Sequence, residues 1–343
     1  MKDSTQAAAP AVPVTNKSKP VKEKKVTRDL RMYHFKQKIP KFFYSLFRFF
    51  FIVCMAYVLL SPILIMLTRS LRTAQDMLNP SIVWIPSSFT FDNIIEAFKI
   101  MDYSNTLVFS GRVVLLSTLL TLISCSMAGY ALARYHLKIS NFCIAIAILT
   151  IIVPMQTYII PFFFQFRFFN FLWIGDIYNY ITGDLLSLND TEFAYYLPAI
   201  LGAGLRAGLF VVVFMQFFKG LPKELEDAAR VDGCSEARTF VQVMLPNSGS
   251  VFLVVSIFSI VWYWNDYFFA QIMMKNKQMM STKISMIKSL VRNLSSDGSW
   301  GDGFTETVWV FAGALLFILP PLILYIIVQR FFIQSIERTG IVG

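Results

Sequence analysis

The chain has 343 residues, 56% of them hydrophobic and 16% aromatic, with a mean hydropathy of +0.57. Only 15% are charged, well below the roughly 25% of a soluble domain, so an ordinary soluble protein is excluded and an integral membrane protein is indicated. The net charge of +10 is concentrated before the first apolar run, from Lys2 to Lys41. A membrane topology signal explains that more economically than nucleic-acid or headgroup binding.

Residues 1–45 form the first unit. They are rich in Ala, Pro, Lys, Ser and Thr up to about Pro40 and lack a helical apolar stripe. They read as a basic, largely disordered tail, too long and too charged for a cleavable signal peptide. Residues 46–343 form the second unit. A helix needs about 20 apolar residues to cross the hydrocarbon core. Six stretches qualify, at about 46–67, 107–133, 142–164, 196–218, 250–274 and 308–333. Their near-continuous apolar character fits helices in lipid, so the expected class is all-α and polytopic.

An even number of spans puts both termini on one side. With the basic tail inside, nineteen Lys and Arg residues fall on the inner side against nine outside. Arg48, Arg112 and Arg206 are set aside as lying within spans. The bias places both termini in the cytoplasm. The outer loops are then 68–106, where Asp92 can cap a short helix, the acidic 165–194, and 275–307 with its Gly/Asp-rich "SSDGSWGDG". Cys54, Cys125 and Cys143 lie in apolar runs and Cys234 in an inner loop, so no disulfide framework is expected. No Cys/His cluster points to a metal. His34 and His136 read as solvated or interfacial.

Between the fourth and fifth spans lies the charged, alanine-rich "ELEDAARVDGCSEARTFVQVMLP", Glu224 to Pro246. Leu221, Leu225, Ala228 and Asp232 recur at helical spacing. Lys223/Asp227 and Glu226/Arg230 are spaced to pair along a helix. Pro222 suits a first helical position and Gly233 a left-handed terminator. Ala228 and Ala229 offer a surface of little bulk that another backbone can approach. The helix is too polar for lipid and too short for a domain.

This segment resembles the EAA loop of binding-protein-dependent ABC importer permeases: Asp227-Ala228-Ala229, then Asp232-Gly233, then Leu245-Pro246, with Asp227 where that family usually has Glu. "AGYALARY" (Ala128–Tyr135), "VPMQTYIIP" (Val153–Pro161), "WND" with Tyr267, and "LPPLILYIIVQRFFIQ" (Leu319–Gln334) with the final Gly343 resemble further segments of the carbohydrate, maltose-type branch, in the same order. The resemblance runs from about Leu46 to Gly343. It implies the type I ABC importer permease fold and a sugar or oligosaccharide permease subunit in a bacterial cell membrane, not an enzyme. The sequence has no Gly-x-x-x-x-Gly-Lys-Ser/Thr loop. ATP and Mg would therefore be used by two partner ATP-binding subunits, with no cofactor bound by this chain. A second related permease, giving a heterodimer, an extracytoplasmic solute-binding protein and the lipid bilayer are the other implied partners; nucleic acid is not.

By that resemblance, Glu226, Asp227, Ala228, Ala229, Asp232, Gly233, Leu245 and Pro246 would couple the permease to the ATPase. Asp297, Gly298, Gly301, Asp302 and Gly303 would meet the binding protein. Polar groups within a membrane are costly and informative, which makes Gln156, Arg206, Tyr263, Trp264, Asn265 and Asp266 substrate-path candidates. Against this stand plainer readings. Trp262 and Trp264 suit an interfacial belt or packing, and Arg206, beside a Gly204/Gly208 GxxxG spacing, suits helix packing with its head toward the outer interface. A non-sugar solute such as a polyamine or phosphonate, or an ion-coupled transporter using Asp266 and Arg206, are the alternatives. The ion-coupled reading leaves the charged helix without a purpose.

Overall fold

The computed structural model describes residues 23–73, 75–76, 79, 81, 84–135, 138–294 and 303–340. The chain divides into two compact units, Met1–Pro62 and Ile63–Gly343. The first helix, α1 (Glu23–Ser70), runs across that division. Residues 23–45 fall within this helix, whereas residues 1–22 lie outside the described residues. The local reason is composition: Val21–Ile39 holds no Gly or Pro and is rich in Lys and Arg, good helix formers. From Phe43 to Leu60 α1 is largely apolar and exposed, as at Phe50, Val58 and Leu59.

In the second unit the described helices are α2 (Asp92–Ile100), α3 (Tyr103–Arg134), α4 (Ser140–Ile152), α5 (Ile159–Arg167), α6 (Ile174–Thr182), α7 (Phe193–Ile200) and α8 (Ala207–Gly220). They continue with α9 (Glu224–Val231), α10 (Glu236–Thr239), a π-helical turn (Phe240–Met244), α11 (Gly249–Asn265), α12 (Phe268–Met273), α13 (Met280–Leu294) and α14 (Gly303–Gly340). No strand occurs among the described residues.

Four helical segments are long and apolar enough to cross a membrane by themselves: Phe43–Ser70, Tyr103–Arg134, Pro246–Asn265 and Thr307–Phe331. The expected third and fourth spans are interrupted. In the third, Val153 is extended at φ −72°, ψ 118°, as the residue before a proline tends to be, so Pro154 ends α4. A 3₁₀ turn at Met155–Thr157 then leads into α5. In the fourth, Gly202 and Arg206 take positive φ (69° and 58°), separating α7 from α8. The fifth is likewise broken by extended Asp266, between α11 and α12.

The centre of the unit is α3. Its small hydroxyl residues Ser110, Ser117, Thr118, Thr121 and Ser126 are all buried. Lipid tails are as apolar as a core leucine, so helices in a membrane gain little from hiding apolar surface; close packing and hydrogen bonds hold them instead. Thr118 meets Ser259 at 3.1 Å, Thr121 meets the Tyr263 hydroxyl at 3.0 Å, and Ser124 donates to the Ala199 carbonyl at 2.6 Å. Gly208 lets α8 lie against α4, since a Cβ there would come within 2.5 Å of the Ala147 carbonyl oxygen. Gly204 instead faces Tyr263, so the GxxxG pair does not form one contact surface: Gly204 precedes the helix that Gly208 belongs to.

The connecting segments are tied down. Asn93 donates to the carbonyls of Ser70 (3.0 Å) and Arg72 (2.7 Å), fixing α2 to the end of α1. Asp92 is the first residue of α2 rather than its cap: Thr90 Oγ1 accepts from the Asp92 N–H at 3.2 Å. Asp190 accepts both the backbone and side-chain N–H groups of Asn276, at 2.8 and 2.9 Å, and Glu192 pairs with Arg112. These contacts join segment 165–194 to the start of segment 275–307 and to α3.

Candidate functional site

Two places bring the sequence-selected residues together. The first is the charged helix α9. Its end is a hydrogen-bonded left-handed stop: Gly233 (φ 79°) donates to the Arg230 carbonyl at 3.0 Å, and Cys234 donates to that of Ala229 at 2.9 Å. Pro222 sits just before the cap position, Lys223, whose carbonyl accepts from Glu226 and Asp227.

The helix has an inward and an outward side. Glu226 and Ala229, one turn apart, face inward and are buried. The Glu226 carboxylate lies 2.8 Å from Nε of Arg134, with both side chains nearly inaccessible (6% and 5% exposed). Arg134 also donates through Nη2 to the Leu221 carbonyl at 2.8 Å. The end of α3 therefore grips both the helix and the turn leading into it. Outward stand Asp227, Ala228, Val231, Asp232 and Gly233. Val231 is 88% exposed, a bare apolar side chain on a polar knob. Leu245 and Pro246 are exposed at the far end of the segment, where a 3₁₀ turn enters α11.

The pairing expected along α9 is corrected by this arrangement. Glu226 does not meet Arg230, because the inward face carries it to Arg134. Arg230 instead lies 3.4 Å from Asp227 and 3.2 Å from Glu236. Ala229, expected on the approachable surface, packs inside; Ala228 alone of the pair is outside. Around Glu236, the Tyr135 hydroxyl donates at 2.9 Å. That bond and the Arg230 guanidinium hold the Glu236 carboxyl below its usual range, while burial and then Glu236 raise the Tyr135 phenol.

The second place is a cavity of about 470 Å³ where the three interrupted spans meet. Its lining includes Gln156, Arg206, Asn265 and Asp266, four of the six intramembrane residues singled out from sequence, together with Tyr158, Trp262 and Tyr267. Arg206 lies over the Trp262 ring, 5.8 Å from its centroid. Asp266 accepts from the Tyr195 hydroxyl at 2.6 Å and from the Phe269 N–H at 3.2 Å. The other two candidates are not in this lining. Trp264 is buried and donates to the Phe317 carbonyl at 3.2 Å; Tyr263 is buried against Thr121 and Tyr195. Of the outer-loop candidates, Asp297, Gly298, Gly301 and Asp302 lie outside the described residues, and Gly303 begins α14.

Sequence reasoning passed over Arg134 and Val231. A cation closing an apolar run and the one large aliphatic residue on the outward side of a polar helix were the available signals. Trp262, which by sequence suits an interfacial belt or packing, lines the cavity beside Arg206.

Residues 121–338 match the family described as the binding-protein-dependent transport system inner membrane component. Among relatives, the arabinooligosaccharides transport system permease protein AraQ of Halalkalibacterium halodurans is 29% identical, over 84% of this chain and 93% of its own length. The melibiose/raffinose/stachyose import permease protein MelC of Bacillus subtilis is 27% identical, over 82% and 91%. The fold is similar to that in a crystal structure of a bacterial ABC transporter involved in the import of the acidic polysaccharide alginate. The TM-score is 0.61 at 19% identity, covering 84% of this chain and 96% of that one. A helical multi-pass membrane architecture of this type and a match over most of the chain identify a transport component rather than an enzyme: the chain belongs to the family of inner-membrane components of binding-protein-dependent transport systems.

Proposed function

We propose that the chain is one permease subunit of an ATP-driven importer of sugars or oligosaccharides, lining half of the translocation path by alternating access. The relatives that carry saccharide names, aligned over more than four fifths of this chain, support the substrate class. The observation that carries the coupling mechanism is α9 itself. It is a polar knob whose outward side is open and whose inward side is bonded to the end of a helix long enough to span the membrane. A knob so built suits the cleft of a separate ATPase. When two ATPase subunits close on ATP and Mg, a docked α9 moves with them, and α3 and α8 move with α9.

In this reading three unbroken and three interrupted spans make six crossings, and both termini lie in the cytoplasm. Asp227, Ala228, Val231, Asp232 and Gly233 form the docking face. Glu226 and Ala229 seat the helix, and Leu245 and Pro246 fix its exit. A second related permease completes the path as a heterodimer, and a solute-binding protein meets the outer loops. Asp297, Gly298, Gly301, Asp302 and Gly303 belong to that meeting. Gln156, Arg206, Asn265 and Asp266 line the path. The testing experiment is saccharide uptake into proteoliposomes holding the two permeases, with and without the ATPase subunits. Uptake that requires both the ATPase and ATP is expected; equal uptake without them would overturn the proposal.

A further inference from the structure

We infer that the cavity between the interrupted spans takes a saccharide bearing a carboxylate, which Arg206 pairs while Trp262 supports the sugar ring. This rests on the saccharide reading above and narrows its substrate class.

The cavity exists because three chain segments stop being helical at one place: at Val153–Pro154, at Gly202–Arg206 and at Asp266. At about 470 Å³ it falls in the size range of small-molecule sites. Arg206 stands at the middle break with a left-handed backbone (φ 58°), a conformation that favours glycine. It is not a turn residue shed into solvent. Its guanidinium lies over Trp262, and its side chain is exposed on the cavity wall.

The charges in the cavity are unequally served. Asp266, the only acid in the lining, already accepts from the Tyr195 hydroxyl and the Phe269 N–H. Among the described residues, no carboxylate forms an ion pair with Arg206, whose guanidinium lies over the Trp262 ring in the cavity that Tyr158 also lines. A guanidinium at membrane depth is costly unless water or an anion reaches it. Its planar fork matches a carboxylate with two parallel hydrogen bonds. Next to it begins α8, fourteen residues long, whose N-terminal end adds positive potential at the same wall. The carbonyl ends of α4 and α11, at Ile152 and Asn265, line the cavity too and can accept from hydroxyls, as can the side-chain oxygens of Gln156 and Asn265. The Trp262 face suits the apolar side of a sugar ring. The cavity thus offers one unmatched cation, an aromatic wall and a set of hydroxyl partners, which together describe a uronate sugar better than a neutral one.

The test uses the whole transporter, with partner subunits and binding protein, in cells lacking other saccharide uptake. Labelled trimers of galacturonate, glucuronate, mannuronate and guluronate are compared with their carboxyl-reduced forms, which keep the skeleton and lose the charge, and with neutral maltotriose, raffinose and arabinotriose. At least one uronate trimer is expected to enter at least tenfold faster than its reduced form. Arg206→Gln should bring the two to within about twofold at unchanged membrane abundance, and Arg206→Lys should keep part of the preference. Trp262→Leu should lower uptake of both forms. Equal entry of the paired forms into wild-type cells, entry of neutral sugars only, or a preference that survives Arg206→Gln would each overturn the inference while leaving saccharide transport standing. Entry of no saccharide at all would sink both.

Discussion

The buried pair between Arg134 and Glu226 makes a quantitative prediction. At a separation of about 4 Å between charge centres and an effective dielectric near 20, their attraction is about 4 kcal/mol, which the cost of stripping water from both ions largely offsets. Replacing the pair as a whole should therefore change little. Replacing one member is different, because it strands a buried charge, at about 3–5 kcal/mol. The two members are not equivalent. If Glu226→Leu removes the acid, Arg134 keeps its bond to the Leu221 carbonyl, and the loss should fall near the lower figure. If Arg134→Met removes the base, the Glu226 carboxylate is left with no ion-pair partner among the described residues, and the loss should approach the upper one. The double variant should lie within about 1 kcal/mol of wild type. Thermal unfolding of the purified permease, followed for all four proteins, gives the double-mutant cycle. Additive losses, or an Arg134→Met variant more stable than Glu226→Leu, would refute the reasoning. The double variant should also transport poorly for each ATP consumed, since an apolar contact does not hold the angle between α9 and α3 as the close ion pair and the directed Arg134–Leu221 hydrogen bond do.

Other consequences follow from the same geometry. Val231→Asp should leave membrane abundance and folding unchanged and lower transport at least tenfold, read beside ATPase association in pull-down; normal transport would remove Val231 from the docking face. Gly233→Ala forces a Cβ into φ 79° and should cost about 1–2 kcal/mol in unfolding, with no clash to add, since nothing lies within 4 Å of that Cβ. Gly208→Val drives atoms into the Ala147 carbonyl and should cost about 1–3 kcal/mol or more through overpacking, visible as lost thermal stability. The Glu236 carboxyl sits below its ordinary 4.5, so its contribution to stability is complete above that pH and is lost as pH falls through the lower, folded value. Protection of the amides over residues 224–240, taken relative to their intrinsic exchange rates, should fall on acidification below about pH 4.5, and Tyr135→Phe should flatten that dependence.

What the sequence disclosed depended on the range of the interactions. The unbroken spans follow from apolar runs that any crossing helix requires, and Gly233 was readable because its stop is made within one turn. Pro154 was visible, but its effect was hidden by the apolar residues on both sides, which kept the third span looking continuous. Arg206 misled in the same way: flanking glycines suggested helix packing, whereas Gly202 and Arg206 are where the backbone leaves the helix. Glu226 had a plausible neighbour in Arg230, and only the tertiary arrangement reveals that Arg134, far earlier in the chain, takes it instead. Trp264 and Asp266 are two positions apart and equally prominent in sequence, yet one is sealed behind Phe317 and the other lines the cavity. Local spacing carries no information about which way an irregular segment turns a side chain.

Helix α3 holds Arg112, which pairs with Glu192 near one end, and Arg134, which pairs with Glu226 at the other. Their separation of 134 − 112 = 22 positions spans about 33 Å of unbroken helix, roughly the thickness of the hydrocarbon core. A stiff rod held in its third turn and at its far end behaves as a lever once one hold yields. Tilting it by about 10° about one tip swings the other by about 6 Å over that length, enough to open or shut a passage the width of a sugar without bending any part of the rod.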